Sequence, residues 1–232
     1  MQKELFRNDS YLKTCSSKII EILDEGIVLD NNVFYPEGGG QPGDVGNVNC
    51  NNKSFEITNT KYIDKKIVLC LEGSSIFNLN QEMFCEINWT RRFNIMQVHT
   101  CLHLLCSIIK APVTGGQINE GKGRLDFDLE SKPDKDFIME KINKLIKGNF
   151  DVKISNITEE ELDKNPELVR TMAVKPPRGS GMIRMISIGE NVDYQPCGGT
   201  HVKNTSEINL VKKVKVENKG RMNKRVILEL NS

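Results

Sequence analysis

Short apolar or β-branched runs mark the first part of the chain, and clusters of Asn, Gly, Asp and Ser separate them. Runs of this length and composition are typical of strands, and no long helical pattern interrupts them. The runs lie at 18–23, 27–29, 55–58, 67–71 and 83–87. Residues 1–89 are therefore predicted to form a small all-β domain.

The pattern changes at residue 90, where apolar residues begin to recur at a spacing of about 3.6 residues. This repeat extends over 90–110 and stops before Pro112, which predicts a helix. A second helix is predicted over 135–147, because Asp134 is suited to cap its start and Gly148 to end it.

A third, short helix is predicted to begin after Thr158, since Glu161 follows at the spacing of a capping box. Strands are predicted at 124–129, 151–157, 182–188, 208–216 and 225–230. A turn of Lys, Asn and Gly residues joins the last two. Residues 90–232 are therefore predicted to be a second domain of α+β class, with a mainly antiparallel sheet.

Composition narrows the class of protein. Hydrophobic residues make up 38% of the 232 residues and charged residues 27%, as in an ordinary globular chain. No stretch approaches the roughly 18 apolar residues of a membrane span. Residues 1–13 are polar where a secretory signal needs an apolar core, so a cytoplasmic protein is expected. The seven cysteines are an odd set, which favours reduced, buried or metal-bound thiols over a disulfide framework.

The net charge of +1 hides an asymmetry along the chain. Residues 1–89 carry 8 basic and 13 acidic side chains, whereas residues 90–232 carry 24 and 18. Segment 168–189 contains Arg170, Lys175, Arg178 and Arg184 and no acid, and segment 203–232 has 8 basic residues against 3 acidic. Such an excess attracts a polyanion, although a solvated charged surface explains it equally well.

The candidate chemistry lies in the three histidines. His99 and His103 are four residues apart on the predicted helix, so both rings lie on one face. His201 follows Cys197 by four residues across two glycines, which suits a tight loop. Three nitrogens and one sulfur favour zinc over magnesium or calcium. Cys106 lies on the same helix face and is an alternative ligand, although a small buried hydrophobe is the preferred interpretation.

These residues lie in motifs that resemble a known family. His-Thr-Cys-Leu-His at 99–103 and Asp-Tyr-Gln-Pro-Cys-Gly-Gly-Thr-His at 193–201 resemble the paired zinc motifs of the editing domain of alanyl-tRNA synthetase. Tyr-Pro-Glu-Gly-Gly-Gly-Gln-Pro-Gly-Asp at 35–44 and Gly-Arg-Leu-Asp-Phe at 123–127 look like two further signatures. The resemblance covers about residues 33–202. Because no adenylate-forming signature accompanies them, the chain is similar to the free-standing AlaX proteins in their two-domain form.

The resemblance implies a β-barrel domain at 1–89 and an editing domain with a metal-bearing helix at 90–232. It implies a zinc-dependent aminoacyl-tRNA deacylase that hydrolyses mischarged tRNA(Ala), chiefly Ser-tRNA(Ala). The expected partner is tRNA, and neither DNA nor a membrane is expected. With every histidine assigned to the metal, no Ser/His/Asp triad is available. The zinc then either activates water or anchors the amino group or the terminal ribose.

Two alternatives remain open. Four ligands can also close a structural zinc site in an RNA-binding module without catalysis. The second alternative is editing of a different mischarged tRNA, such as Ser-tRNA(Thr), because threonyl-tRNA synthetase editing domains share the zinc quartet. The stretch at 35–42 favours the alanyl branch.

Three further residues are candidate catalytic residues. Arg124 and Asp126 share one face of a predicted strand, where they orient the charged ends of the substrate or form a surface ion pair. Gln195 precedes the metal loop and is a candidate hydrogen-bond partner of the substrate.

Candidate substrate-binding residues lie elsewhere in the chain. Gly38, Gly39 and Gly40, with Gln41, form a turn whose amides suit a tRNA 3′ end, or a structural turn that docks the first domain on the second. The region of Thr114 is a candidate reader of the serine hydroxyl. Leu102 stands where synthetase editing domains commonly have Thr, so several side chains remain candidates for that reader.

Overall fold

The structure is a computed structural model that describes residues 2–172, 178–179 and 181–231. Its internal contacts divide the chain into two compact units, Met1–Phe93 and Asn94–Ser232. Within the described residues, no helix is both long enough and apolar enough to cross a membrane.

The first unit is built mainly from strands. Its elements are β1 (Lys3–Glu4), α1 (Leu5–Asn8), β2 (Thr14–Leu23), β3 (Gly26–Leu29), β4 (Asn31–Asn32), β5 (Gly46–Cys50), β6 (Lys53–Ile57), β7 (Asn59–Ile63), β8 (Lys66–Cys70) and β9 (Glu82–Ile87). Strands β1 and β4 form a short parallel pair, and the other seven form one antiparallel sheet. The five predicted strands correspond to β2, β3, β6, β8 and β9. The prediction missed the two-residue strands β1 and β4, and it missed β5 and β7, in which Asn and Lys residues obscure the alternation of apolar and polar positions.

Strand β2 connects the two halves of the seven-stranded sheet, whose order is β6-β5-β9-β2-β3-β8-β7. It pairs with β9 from Thr14 to Lys18 and with β3 from Ile19 to Leu23. The sheet therefore curls around a core that includes Ile19 and Val48. Within the described residues β6 and β7 are its edges, so these pairings form a curled open sheet, and a closed barrel is not among them.

The second unit combines helices with two antiparallel sheets. Helix α2 (Trp89–Ile108) begins in the first unit and is followed by β10 (Val113–Asn119), β11 (Lys122–Asp128), α3 (Lys135–Lys147), β12 (Val152–Thr158), α4 (Glu159–Lys164), β13 (Met182–Ile188), β14 (Asp193–Pro196), β15 (Val211–Gly220) and β16 (Asn223–Leu230). One sheet has the order β10-β11-β16-β15 and the other β12-β13-β14. The prediction of an α+β fold with mainly antiparallel sheets is confirmed.

Local signals in the sequence located the helices well. The Asp134 side chain accepts hydrogen bonds from the amides of Asp136 and Phe137, as expected of the cap of α3. Thr158 and Glu161 form the predicted capping box of α4. All three predicted helices are therefore confirmed, each within two residues of its predicted bounds.

The predicted strand at 208–216 is wrong in its bounds. Strand β15 begins three residues later, at Val211, and ends at Gly220. The amide of Ile208 instead donates to the carbonyl of Thr205 and closes a 3-10 turn that Asn204 caps. A local hydrogen bond thus competes with the strand at this point.

Gly123 fixes the position of helix α2 on the four-stranded sheet. A Cβ atom at Gly123 would lie 2.6 Å from Val98 Cγ1 and 3.0 Å from Leu102 Cδ1. Val98 and Leu102 are buried and face strand β11 at this contact. His99 and His103 each follow one of these residues, so their rings lie on the adjacent stripe of the helix. Leu102 is therefore a packing residue of the sheet contact.

Candidate metal site

Four side chains meet in the interior of the second unit. His99 and His103 come from helix α2, and Cys197 and His201 come from the loop that follows β14. Their ligand atoms all lie within 4.8 Å of one another, so this group could hold one metal ion. The structure thus brings together the four residues that the sequence singled out as a quartet.

The Cys197 thiol lies close to two of the rings. Cys197 Sγ is 3.5 Å from His99 Nε2 and 3.2 Å from His201 Nε2. The ring centroids of His103 and His201 are 4.6 Å apart. Sulfur and nitrogen ligands therefore converge on one point from two separate elements.

Arg184 on strand β13 holds the loop that carries Cys197. Its Nη1 atom donates to the carbonyls of Cys197 (2.6 Å) and Gly199 (3.0 Å), and the Cys197 amide donates to the Arg184 carbonyl at 3.1 Å. By its sequence, Arg184 belongs to a basic segment that would attract a polyanion. Its guanidinium instead satisfies loop carbonyls, while Arg178 pairs with Asp163 at 2.6 Å. Lys175, from the same segment, lies outside the described residues.

Asp193 and Gln195 orient His103. The Nδ1 atom of His103 lies 2.8 Å from Asp193 Oδ2, and Gln195 Nε2 donates to the same oxygen at 2.9 Å. With Nδ1 held by the carboxylate, Nε2 is the nitrogen of His103 that is available to a metal. All three side chains are buried. Gln195 was expected to contact the substrate, and its observed amide contacts go to the supporting carboxylate and to His103.

Thr100 supports His201 in a similar way. Its hydroxyl donates to the carbonyl of Met96 at 3.0 Å and accepts from the amide of Val202 at 3.2 Å. Thr100 Oγ1 also lies 3.2 Å from His201 Nδ1, which assigns the ring proton to Nδ1 and leaves Nε2 as the ligand atom. Thr100 was not among the predicted site residues, although its position between the two helix histidines was a usable signal.

Electrostatic contacts within the group favour a thiolate at Cys197 and a neutral ring at His201, the forms that bind a metal. Burial raises the pKa of the Cys197 thiol, but the neighbouring His99 and His201 rings outweigh this effect and hold it well below its usual value. Burial, reinforced by His99, lowers the pKa of His201. Burial also lowers the pKa of His103, yet the hydrogen bonds to Asp193 and Cys197 raise it to about 10. The Cys197 thiolate and the Asp193 carboxylate therefore favour a positive charge between them, carried either by the protonated ring of His103 or by a bound cation.

Cys106 does not belong to the four-residue group. Its side chain is buried, and burial raises the pKa of its thiol to about 12. Cys101 on the same helix behaves in the same way, with a pKa of about 12 from burial alone. The interpretation of Cys106 as a small buried hydrophobe is therefore favoured over its role as an alternative ligand.

Arg124 and Asp126 form a separate cluster on the four-stranded sheet. Arg124 Nη1 donates to Asp126 Oδ2 at 2.9 Å, and Arg225 donates to both carboxylate oxygens at 2.7 and 2.8 Å. Thr114 Oγ1 donates to the Asp126 carbonyl and contacts Asn223. The predicted shared face is confirmed. Arg225 was not among the predicted site residues, because only the β11–β16 register brings it opposite Asp126.

The glycine-rich stretch lies in the first unit. Gly38 and Gln41 exchange backbone hydrogen bonds of 3.0 and 2.9 Å, and the two residues between them have positive φ angles of 60° (Gly39) and 82° (Gly40). This geometry is a tight turn of the type that favours glycine at both central positions. Gly39 and Gly40 are exposed, whereas the Gln41 side chain is buried.

Comparison with known proteins agrees with these features. The family model described as the threonyl and alanyl tRNA synthetase second additional domain matches residues 183–227, and the one described as tRNA synthetases class II (A) matches residues 7–91. The alanyl-tRNA editing protein AlaX-M of Saccharolobus solfataricus is 32% identical over 232 residues, which cover 97% of this chain and 98% of that protein. The chain belongs to the AlaX-M family of alanyl-tRNA editing proteins.

Two further relatives are a second AlaX-M protein and a full-length synthetase. AlaX-M of Methanosarcina barkeri is 32% identical over 99% of both chains. An alanine–tRNA ligase of Pyrobaculum aerophilum is 31% identical over 93% of this chain but only 25% of its own length. This AlaX-M family member thus corresponds over nearly its full length to one quarter of a synthetase.

Proposed function

We propose that this protein is a trans-editing hydrolase, an aminoacyl-tRNA deacylase that removes the wrong amino acid, chiefly serine, from tRNA(Ala) in the cytoplasm. The observation that carries the proposal is the group of four metal-ligating side chains in a chain that matches AlaX-M proteins over its full length. Binding of tRNA also agrees with the basic excess of residues 90–232.

The donor set supports zinc as the metal. Zinc binds thiolate at about 2.3 Å and imidazole at about 2.0–2.1 Å, so a tetrahedral site separates sulfur from nitrogen by about 3.5 Å. The observed separations from Cys197 Sγ are 3.5 Å to His99 and 3.2 Å to His201. Magnesium and calcium prefer oxygen ligands, which this group lacks.

The roles of the protein side chains follow from this arrangement. A bound zinc supplies a Lewis acid beside the aminoacyl ester. Asp193 fixes the ring of His103, and Thr100 fixes the ring of His201, so both nitrogens are held in place before substrate arrives. The chain has only three histidines, and all three are in the group, so no histidine remains as a general base. An aminoacyl ester is labile enough for a positioned water to hydrolyse it.

The remaining site residues are part of the proposal. The amides of the turn that holds Gly38, Gly39, Gly40 and Gln41 bind the tRNA 3′ end, and the Thr114 region reads the serine hydroxyl. Arg124 and Asp126 orient charged parts of the substrate. Gln195 affects catalysis by holding Asp193 and His103 in position. The β-barrel-type domain at 1–89 and the editing domain at 90–232 are likewise proposed.

A deacylation assay tests the proposal. The holoprotein is incubated with Ser-tRNA(Ala), Ala-tRNA(Ala) and Ser-tRNA(Thr), and release of the amino acid is followed. We expect rapid hydrolysis of Ser-tRNA(Ala) alone. Binding of tRNA without hydrolysis of any ester would favour the zinc-stabilised RNA-binding module, and preferred hydrolysis of Ser-tRNA(Thr) would assign a different tRNA.

A further inference from the structure

The four-stranded sheet of the second unit has one apolar face and one charged face. Along β16, side chains alternate between buried and half-buried positions from Asn223 to Leu230. The register places Asp126 and Glu217 opposite Arg225, and it places Lys122 and Lys213 opposite Glu229. Residues directly opposite each other share a face. We call the charged side the outer face; its charged side chains, with Gln117, are Lys122, Arg124, Asp126, Asp128, Lys213, Lys215, Glu217, Lys219, Arg225 and Glu229.

Asp126 lies at the centre of the outer face, between two arginines. Its side chain is 10% exposed, whereas those of Arg124 and Arg225 are 27% and 24% exposed. Arg225 binds the carboxylate through two parallel hydrogen bonds, and Arg124 is held by Asp126 and by Gln117 Oε1 at 3.3 Å. Two guanidinium groups are thus fixed side by side at the surface by one carboxylate.

The charges on the outer face do not cancel. Six basic side chains stand against four acidic ones, Asp126, Asp128, Glu217 and Glu229. Burial raises the pKa of Asp126, but the hydrogen bonds from Arg225 and the charge of Arg124 outweigh it, so the carboxylate is ionised at neutral pH. At the centre, Arg124 and Arg225 face the carboxylates of Asp126 and Glu217. The surplus positive charge comes from the exposed lysines of β11 and β15, of which Lys122, Lys215 and Lys219 also pair with Glu229 or Glu217.

We infer that the outer face binds the phosphodiester backbone of tRNA, with one phosphate held between Arg124 and Arg225. This inference rests on the proposed function, since it names the surface that receives the tRNA substrate. Asp126 and Gln117 take the Nε and Nη2 donors of Arg225 and the Nε and Nη1 donors of Arg124, so the phosphate accepts from the remaining Nη–H groups of the two arginines. Guanidinium groups that are already fixed lose less side-chain entropy on binding. Exposed lysines add contacts that do not depend on sequence, as expected for backbone recognition.

Asp126 is a positioning residue in this arrangement. Its carboxylate accepts hydrogen bonds from both arginines, and the arginines, not Asp126, contact the phosphate. Removing Asp126 would free two long side chains and add a positive charge to the face at the same time. A purely electrostatic surface would then bind tRNA more tightly, whereas a fixed pair of guanidinium groups would lose affinity. We expect Asp126→Asn to weaken tRNA binding.

The experiment measures the affinity of uncharged tRNA by fluorescence titration across a series of salt concentrations. The variants are Arg124→Gln and the pair Lys213→Gln with Lys215→Gln; the matched control removes Lys144 and Lys147, which are exposed on helix α3. Each phosphate contact contributes about 0.7–0.9 to the slope of log K against log salt. We expect Arg124→Gln to flatten the slope by about one contact, the lysine pair by up to two, and the control to match the wild type.

Several outcomes would overturn the inference. One is an unchanged affinity and slope in Arg124→Gln and in the lysine pair. Another is equal binding of polyglutamate and tRNA by the wild type, which would indicate an acidic protein partner. A loss confined to kcat, with unchanged tRNA affinity, would assign Arg124 to the chemical step. Because uncharged tRNA is the probe, the result does not depend on whether the wild type hydrolyses any ester.

Discussion

Asp193 Oδ2 lies 2.8 Å from His103 Nδ1, in the interior of the second unit, and joins strand β14 to helix α2. The carboxylate is 1% exposed and the imidazole 7%. A buried carboxylate that accepts a hydrogen bond from the ring N–H fixes both the tautomer and the orientation of a metal-ligating histidine. The Asp193–His103 hydrogen bond therefore links the motif at 99–103 to the motif at 193–201, in addition to any metal that the four residues hold.

The first prediction concerns this pair. Asp193→Asn keeps a hydrogen-bond acceptor but removes the charge, so we expect zinc affinity to fall by about 10–100-fold. Competition with a chromophoric chelator measures the affinity directly. Glu190→Gln, on the exposed turn before β14, is the matched control and should bind zinc as the wild type does. Equal affinity in Asp193→Asn would show that the carboxylate has no such role.

The second prediction concerns the metal itself. The purified protein should contain about one zinc per chain, because thiolate and neutral imidazole bind zinc strongly. Cys197→Ala and His103→Ala should each lose metal and deacylase activity together, as measured by elemental analysis and ester hydrolysis. Cys106→Ala should keep its metal. Loss of metal in Cys106→Ala, with retention in Cys197→Ala, would assign the sulfur ligand to Cys106 instead.

The third prediction concerns discrimination between amino acids. Alanine is smaller than serine, so size cannot exclude Ala-tRNA(Ala) from the site. A site that hydrogen-bonds the serine hydroxyl can reject the analogue that lacks it by up to roughly 10⁴-fold, because its own polar groups are then left unpaired. We expect kcat/KM for the seryl ester to exceed that for the alanyl ester by a factor that approaches this value. Equal rates at subsaturating concentrations would contradict the editing function.

The fourth prediction concerns the first unit. Arg92 is fully buried, and its Nε donates to both oxygens of Asp44 at 3.0 and 2.9 Å, while its other nitrogens donate to the carbonyls of Ser10 and Val33. Asp44→Ala would leave the guanidinium buried without its counter-charge. We expect a loss of about 3–5 kcal/mol in the free energy of unfolding, measured with urea.

A double variant separates the cost of an unpaired buried charge from the cost of lost packing. Asp44→Leu combined with Arg92→Met removes both charges and should be more stable than Asp44→Ala alone. If the double variant were the less stable protein, the hydrogen bonds of Arg92 to the backbone would be the larger contribution.

The fifth prediction concerns acid pH. Burial raises the pKa of Asp126, but hydrogen bonds from Arg225 and the charge of Arg124 hold it below its usual value in the folded protein. This carboxylate therefore stabilises the fold above its unfolded-state pKa of about 3.9, and the contribution is lost as pH falls through the folded-state pKa. Wild type should be more stable than Asp126→Asn at pH 7, and the gap should narrow below about pH 4. A gap that stays constant with pH would exclude this linkage.

The sequence by itself determined the elements whose signals are local. Apolar spacing located helix α2, and capping residues such as Asp134 and Thr158 located the starts of α3 and α4 within one residue. It also singled out the four residues of the candidate metal site, because three histidines and one cysteine at fixed spacings are rare enough to stand out without coordinates. These features depend on residues that are neighbours along the chain or one helical turn apart.

Only the tertiary structure decided which residues support those ligands and which form the outer face. Asp193 meets His103 across 90 positions, and Arg225 meets Asp126 across 99. Arg184 belongs to a basic segment by sequence, yet its guanidinium holds the metal loop. Such contacts depend on strand register and on how a helix packs against a sheet, and a shift of one residue would turn each side chain to the opposite face. Register is set by long-range packing of the whole unit, which no local pattern encodes.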